Sequence, residues 1–147
     1  MKLSDFSQAP SGLFLLNVFR RGKLIEVFEE KNLIVNNSKQ IHANLLGGNT
    51  ANQSLTQIAY GTNSTAASAT DTAITAPYYK PFDSVTYPAS NQVQFNFSLG
   101  TTEDNGVTIW EFGLLTPTNV LYARKVRSAG LAKASDLSLT GSWTISF

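Results

Sequence analysis

The residues able to do chemistry are few and widely spaced. His42 is the only histidine, and the chain contains no cysteine. One histidine without thiolates cannot build the multi-ligand sites that hold zinc. Its position inside a predicted helix favours a partly exposed helix residue. The sequence therefore predicts no metal ion and no cofactor.

Acidic side chains form two arrangements that could carry chemistry. Glu103 and Asp104 precede Asn105 in a turn, where oxygen ligands could bind Ca²⁺, although acids are common in turns for backbone reasons. Glu111 lies on a predicted strand and could meet Arg124 of the next strand. A structural ion pair is favoured there, because the sequence nominates no second acid flanking a cleft. Phosphate-loop, nucleophile-elbow and zinc-protease motifs do not occur, so an enzyme is not expected.

Basic and aromatic residues give weak binding signals. The basic residues form two small clusters on predicted strands, and the net charge of +1 gives no broad attraction to nucleic acid or to an anionic membrane. Both clusters are predicted to be solvated strand ends. Aromatic side chains between residues 76 and 88 could stack on sugars or on a protein, although core and rim packing is the commoner use. The basic residues are Arg20, Arg21, Lys23, Arg124, Lys125 and Arg127.

Short β-strands must position these residues. From 92 to 99 and from 137 to 147, apolar and polar residues alternate with a period of two, which is typical of half-buried strands. Further strands are predicted at 12–20, 23–31, 55–61, 107–116 and 120–127. The proline-rich stretch from 76 to 88 is predicted to be an edge strand or an extended connector. The fold class is mainly β, an antiparallel β-sandwich or small barrel of about seven to eight strands.

Three other segments complete the organisation. Residues 38–46 are predicted to form the one short helix, with Asn37 or Ser38 as N-cap and a left-handed glycine of Gly47-Gly48 ending it. Residues 62–75 form a Thr/Ala/Ser-rich loop that is long for a compact domain, either a contact loop or surface slack. Residues 1–11 are predicted to be an N-terminal arm, and residues 12–147 a single domain. The arm carries Leu3 and Phe6, which could dock on its own domain or on a neighbouring subunit.

The composition bears on partners. Charged residues make up 14% of the chain, against roughly 25% in an average globular protein. An uncharged polar surface suits packing against other proteins, because little charge has to be desolvated. A β-rich composition alone is an equally good explanation, since Thr fits strands and Asn fits turns. The sequence has no signal-peptide core and no apolar run near ~20 residues, so a soluble protein made in the cytosol of its producing cell is expected.

Six short motifs follow one another along the chain. They are Asn32-Leu33-Ile34-Val35-Asn36-Asn37, Ile58-Ala59-Tyr60-Gly61-Thr62, Ala69-Thr70-Asp71-Thr72-Ala73-Ile74, Glu111-Phe112-Gly113-Leu114-Leu115, Leu121-Tyr122-Ala123-Arg124 and Trp143-Thr144-Ile145-Ser146-Phe147. In this order they resemble a family of small β-rich structural proteins of tailed-bacteriophage virions, found as head-decoration proteins and as modules of tail fibres and collars. The likeness covers most of the chain from residue 12 onward.

The resemblance implies assembly and not catalysis. The expected function is a capsid decoration (cement) protein that binds the shell as an oligomer, with a trimer favoured, on the major capsid protein or other virion proteins. Its location would be the virion, assembled in the host bacterial cytoplasm, with no nucleic acid or membrane as partner. The alternatives are a tail, collar or fibre-attachment protein of the same fold, or a carbohydrate-binding β-sandwich using Tyr78, Tyr79, Phe82 or Trp110. Candidate partner contacts are Leu3, Phe6, Thr62, Thr65, Asp71, Tyr78 and Tyr79.

Overall fold

The computed structural model describes residues 9–147, so Leu3 and Phe6 of the predicted arm lie outside the described residues. Within this range the chain forms nine strands and one helix. The first strand begins at Ser11, one residue before the predicted start of the domain. The elements are β1 (Ser11–Arg20), β2 (Lys23–Ile34), α1 (Ser38–Leu46), β3 (Gln57–Gly61), β4 (Tyr78–Pro81), β5 (Ser84–Thr86), β6 (Gln92–Leu99), β7 (Thr108–Leu115), β8 (Leu121–Ala132) and β9 (Leu137–Ser146).

The strands form one antiparallel sheet in the order β4-β3-β7-β8-β2-β1-β9-β6-β5, curled into a half-barrel. This confirms the predicted mainly β class with one short helix. The sheet has nine strands because the proline-rich stretch supplies two short ones, β4 and β5. These two strands form the opposite edges of the sheet. Edges suit this stretch, since proline has no N–H to give to a neighbour.

The core lies inside the curl and is centred on an aromatic cluster. The ring of Phe14 is 4.8 Å from that of Phe112, 4.9 Å from that of Trp143 and 5.7 Å from that of Phe97, measured between centroids. These four side chains come from β1, β7, β9 and β6, so the cluster joins both halves of the sheet. Trp143 is fully buried, as the alternation in β9 predicts.

The two halves of the sheet meet at a seam between β2 and β8. These strands pair only at Leu33 with Arg124 and at Ile34 with Ala123. Beyond that point side chains bridge the gap, since Lys125 binds Glu30 and Arg127 Nη2 lies 2.9 Å from a carboxylate oxygen of Glu26. The ring of Phe28 lies 5.5 Å from Lys125 Nζ and 5.2 Å from the guanidinium carbon of Arg127.

The seam corrects the prediction for the second basic cluster. Arg124 and Arg127 are 2% and 7% exposed and are not solvated strand ends. The reason is the position of β8, which lies inside the sheet between β7 and β2. The strand predicted at 120–127 is also longer than expected, because β8 continues to Ala132, which pairs with Thr108.

The first and last strands are neighbours at the centre of the sheet. Ser11 pairs with Ser146, and Arg20 pairs with Leu137. The strand pattern was predicted to run to Phe147, but β9 ends at Ser146 and the Phe147 side chain is 55% exposed. The Phe147 N–H donates to the carbonyl of Asn91.

The local signals around α1 and the first hairpin are confirmed in part. The helix has the predicted bounds, but Asn37 at the N-cap makes no side-chain hydrogen bond. Gly47 has φ −82° and Gly48 has φ +82°, so the second glycine takes the left-handed conformation. The Arg21-Gly22 turn has positive φ at both residues, as a type I′ hairpin turn requires.

Candidate functional site

A buried ion-pair network lies on the outer side of β7 and β8. Arg124 Nε donates to Glu111 Oε2 at 2.7 Å, and Arg124 Nη1 donates to Asp71 Oδ2 at 2.8 Å. Glu111 is fully buried and Arg124 is 2% exposed. Glu111 is opposite Val126 and Arg124 is opposite Gly113, so the two charges meet diagonally across the strands. This confirms the predicted Glu111–Arg124 ion pair.

The same two side chains hold the long loop from 62 to 75. Glu111 Oε1 accepts the N–H of Thr75 at 2.8 Å and that of Asn63 at 3.2 Å. Arg124 Nη2 donates to the carbonyl of Thr65 at 2.9 Å. Buried charges are tolerated only when they are paired and hydrogen-bonded, and the loop supplies those partners. The loop is therefore a fixed cover on the sheet and not slack.

Glycines make room for this cover. A Cβ on Gly61 would lie 2.3 Å from Ile74 Cγ2 and 2.5 Å from Glu111 Oε1, and a Cβ on Gly113 would lie 2.7 Å from Ile74 Cγ1. Ile74 is 6% exposed and joins a second small core with Val35, Ala59, Leu115 and Leu121. The two glycines thus let the loop lie directly on the sheet.

The predicted contact residues are placed as follows. Thr62 is half-buried, Thr65 has an exposed side chain, and the Asp71 carboxylate is engaged by Arg124 and by the N–H of Ser68. Tyr78 is partly buried against the core and donates to Glu103 Oε2 at 3.3 Å, whereas Tyr79 is 41% exposed. The structure brings Asp71 close to Thr65 through Arg124, while Tyr78 and Tyr79 lie apart on the edge strand β4.

A continuous surface without charge lies on the outer side of β1, β9, β6 and β5. Alternate residues of each strand share this side, as the register shows. None of its fifteen residues is charged. Those on β1 are mostly apolar and the others carry hydroxyl or amide groups. We call this surface the uncharged face; it consists of Leu13, Leu15, Asn17, Phe19, Ser84, Thr86, Gln92, Gln94, Asn96, Ser98, Ser138, Thr140, Ser142, Thr144 and Ser146.

Polar side chains of the uncharged face bond to one another across the strands. Thr144 Oγ1 donates to Gln94 Oε1 at 3.2 Å, and Gln94 Nε2 donates to Asn96 Oδ1 at 2.8 Å. Asn96 Nδ2 in turn donates to Ser84 Oγ at 3.0 Å. Polar groups that already have partners lose less when water is removed. The face can therefore be covered by another protein at low desolvation cost.

A groove of about 760 Å³ opens between α1 and the ends of β6 and β9. Its walls include Ile41, Val93 and Phe147 and contain no Asp, Glu, Lys or Arg. On one side His42 Nε2 lies 2.8 Å from the hydroxyl of Tyr122. Burial lowers the pKa of His42 and raises the pKa of Tyr122 to about 12, so both are neutral near pH 7.

The acidic turn is held by lysines. Lys80 Nζ binds Glu103 Oε1 at 2.7 Å, and Lys133 Nζ binds Asn105 Oδ1 at 2.8 Å. The hydrogen bond from Lys80 lowers the pKa of Glu103, so that this carboxylate stays charged. Within residues 9–147, no group of three or more His, Asp or Glu side chains is arranged to hold a metal ion. The one helix described, α1, is too short to cross a membrane.

Comparisons with protein-family models, with curated proteins and with solved structures gave no match to this chain. The candidate site is thus defined by the geometry of the chain itself. Sequence analysis predicted the Glu111–Arg124 ion pair and named Asp71 separately, but it did not predict that one network ties all three residues to the loop. It also did not single out the uncharged face, although the Ser/Thr alternation in β9 was a visible signal of it.

Proposed function

We propose that this chain is a structural protein of a tailed-bacteriophage virion, a capsid decoration protein that binds the shell as an oligomer, with a trimer favoured. The observation that carries the proposal is the uncharged face, together with the motif resemblance of the sequence. Fifteen side chains without charge over four strands form a surface suited to protein contact. The partner is the major capsid protein, another virion protein or a second copy of this chain.

Two features of the fold support a role in assembly. At one end the uncharged face adjoins exposed apolar residues of β2: Phe19 pairs with Leu24 and Asn17 pairs with Val27, and these two β2 residues are 48% and 58% exposed. Exposed apolar patches rimmed by polar residues are typical of interaction sites. The buried charges Glu111 and Arg124 hold the loop from 62 to 75 on the sheet. A loop held in this way loses less conformational entropy on contact with a partner than a mobile loop does.

The proposal is tested by binding to particles. Particles produced without this chain are mixed with the purified protein and cosedimented, and we expect the wild-type protein to sediment with the shell. Thr140→Lys places a charge at the centre of the uncharged face and should reduce binding at least tenfold. Thr118→Lys in the exposed turn between β7 and β8 is the matched control and should bind normally. Equal binding by both variants, or none by the wild type, contradicts the proposal.

Copy number separates the decoration role from the alternative of a tail, collar or fibre-attachment protein. Hundreds of copies per particle, by quantitative mass spectrometry of the virion that contains this chain, support a decoration protein. A dozen or fewer copies, localised to the tail by electron microscopy, support the alternative. The same face would serve for contact in either position.

A further inference from the structure

The turn between β6 and β7 and the link between β8 and β9 meet around a buried lysine. Lys133 is 2% exposed, and its Nζ lies 2.8 Å from Asn105 Oδ1 and 3.3 Å from the carbonyl of Ala134. The backbone fixes this pair, because the Gly106 N–H donates to the Lys133 carbonyl and the Lys133 N–H donates to the Val107 carbonyl, both at 2.9 Å. A primary amine is thus held against a side-chain amide at a defined place in the fold.

A carboxyl group with a free oxygen adjoins this pair. Asp104 precedes Asn105 in the chain and has φ +53°, a conformation that costs energy for a non-glycine residue. Its Oδ2 is buried and has no hydrogen-bond partner among the described residues. Glu103 and Asp136 also act electrostatically on Lys133, but both are engaged in ion pairs, at 2.7 and 2.6 Å, with cations of other strands. Asp104 is therefore the carboxyl available for proton transfer.

The surroundings favour the uncharged forms of both groups. Burial lowers the pKa of Lys133, against the opposing effect of the negative charges of Asp104, Glu103 and Asp136. Burial likewise raises the pKa of Asp104, against the opposing effect of Lys133. Passing a proton from the ammonium to the carboxylate is therefore easier here than in water. The uncharged amine that results is the nucleophilic form of lysine.

We propose that Lys133 and Asn105 form an intramolecular isopeptide bond. Lys133 Nζ attacks Cγ of Asn105, the new Nζ–Cγ amide bond forms, and the Cγ–Nδ2 bond breaks with release of ammonia. Nζ starts as an ammonium and loses two protons in all. Asp104 accepts these protons in turn and passes both to the departing nitrogen, which leaves as ammonia together with the proton that Lys133 carried, so Asp104 ends as the carboxylate it was at the start. The step needs no oxidant, reductant or co-reactant. The product joins the β6–β7 turn covalently to the start of the β8–β9 link.

The test is peptide mapping of the folded protein by mass spectrometry. We expect an intact mass lower by one ammonia, and after trypsin digestion a branched peptide that contains both Asn105 and Lys133. Lys133→Arg keeps the charge but removes the primary amine, and it should show neither the mass loss nor the branched peptide. Asp104→Asn keeps the size of the side chain and should slow formation of the cross-link at least tenfold. Far-UV circular dichroism confirms that each variant is folded.

Asn105 is followed by glycine, so ammonia can also be lost by ring closure on the Gly106 nitrogen. A mass loss that persists in Lys133→Arg without a branched peptide shows this ring closure and overturns the proposal. An intact mass equal to that of the sequence, after prolonged incubation of the folded wild-type protein, also overturns it. Cross-linking at the wild-type rate in Asp104→Asn overturns the proton-transfer role assigned to Asp104.

Discussion

Replacing Glu111 with glutamine tests the central role of the buried ion pair. The carboxylate accepts three hydrogen bonds, from Arg124 at 2.7 Å, Thr75 at 2.8 Å and Asn63 at 3.2 Å. Glutamine offers one acceptor oxygen and turns an NH₂ group toward donors on its other side. Hydrogen bonds to a charged group contribute about 1.5–3 kcal/mol each, and breaking a buried pair costs about 3–5 kcal/mol. We therefore expect Glu111→Gln to lower the free energy of unfolding by about 3–5 kcal/mol.

The matched control is Glu30→Gln, which removes the same charge from the neighbouring ion pair with Lys125. The Glu30 side chain is 53% exposed, so this pair is screened by solvent and its loss should cost less than about 1 kcal/mol. Both variants are measured by urea unfolding, followed by tryptophan fluorescence, which reports on Trp110 and the buried Trp143. Because Arg124 keeps Asp71 as a partner, Glu111→Gln should still fold.

Hydrogen exchange localises the effect. The amides of Asn63 and Thr75 donate to Glu111 and should lose protection in Glu111→Gln, whereas the amides of β1 and β9 should change no more than global stability requires. Equal unfolding free energies for Glu111→Gln and Glu30→Gln would refute the assignment of stability to the buried pair. Unchanged protection at the two loop amides would refute its role in holding the loop.

Three further predictions concern packing and pH. Trp143→Ala empties a fully buried site and should cost about 3–5 kcal/mol in chemical unfolding; a stability near that of the wild type would contradict the packing of β9. Gly113→Ala places a Cβ 2.7 Å from Ile74 Cγ1 and should lower the free energy of unfolding by about 1–3 kcal/mol. In a protein that already carries Ile74→Ala, the same glycine substitution should cost less, because the clashing side chain is gone. Burial lowers the pKa of His42 below 6.5, its ordinary value. The unfolded chain therefore takes up a proton at a higher pH than the folded protein does. As a result, the free energy of unfolding should fall as the pH drops from about 7 to below 6.5. His42→Gln should flatten that part of the pH profile, and an identical slope in both proteins would show that His42 does not cause it.

Patterns within one strand or one turn predicted the fold well. The alternation in β9 placed Trp143 in the core, and the glycine of Arg21-Gly22 marked a turn whose φ values only a few residues tolerate. The helix from 38 to 46 followed from its flanking residues, although Asn37 does not use its side chain as a cap. These features depend on neighbours along the chain, and the sequence contains those neighbours.

Features that depend on distant strands were harder to predict. Arg127 was expected in solvent, yet it is buried because β8 lies beside β2, more than ninety residues earlier in the chain. The loop from 62 to 75 looked unstructured because it carries small residues, but its order comes from Glu111 and Arg124 on other strands. The ion pair itself was predictable, because β7 and β8 are consecutive and joined by a short turn.

The central position of β1 beside β9 determines how the module responds to mechanical load. Ser11 and Ser146 are opposite each other, so tension applied at these two residues pulls the strands apart from the same end. Hydrogen bonds between antiparallel strands run across the strands, and such tension breaks them one after another, as in a zip. A tether through these two points would therefore yield at low force. Attachment across the width of the sheet would instead share a load among many bonds at once.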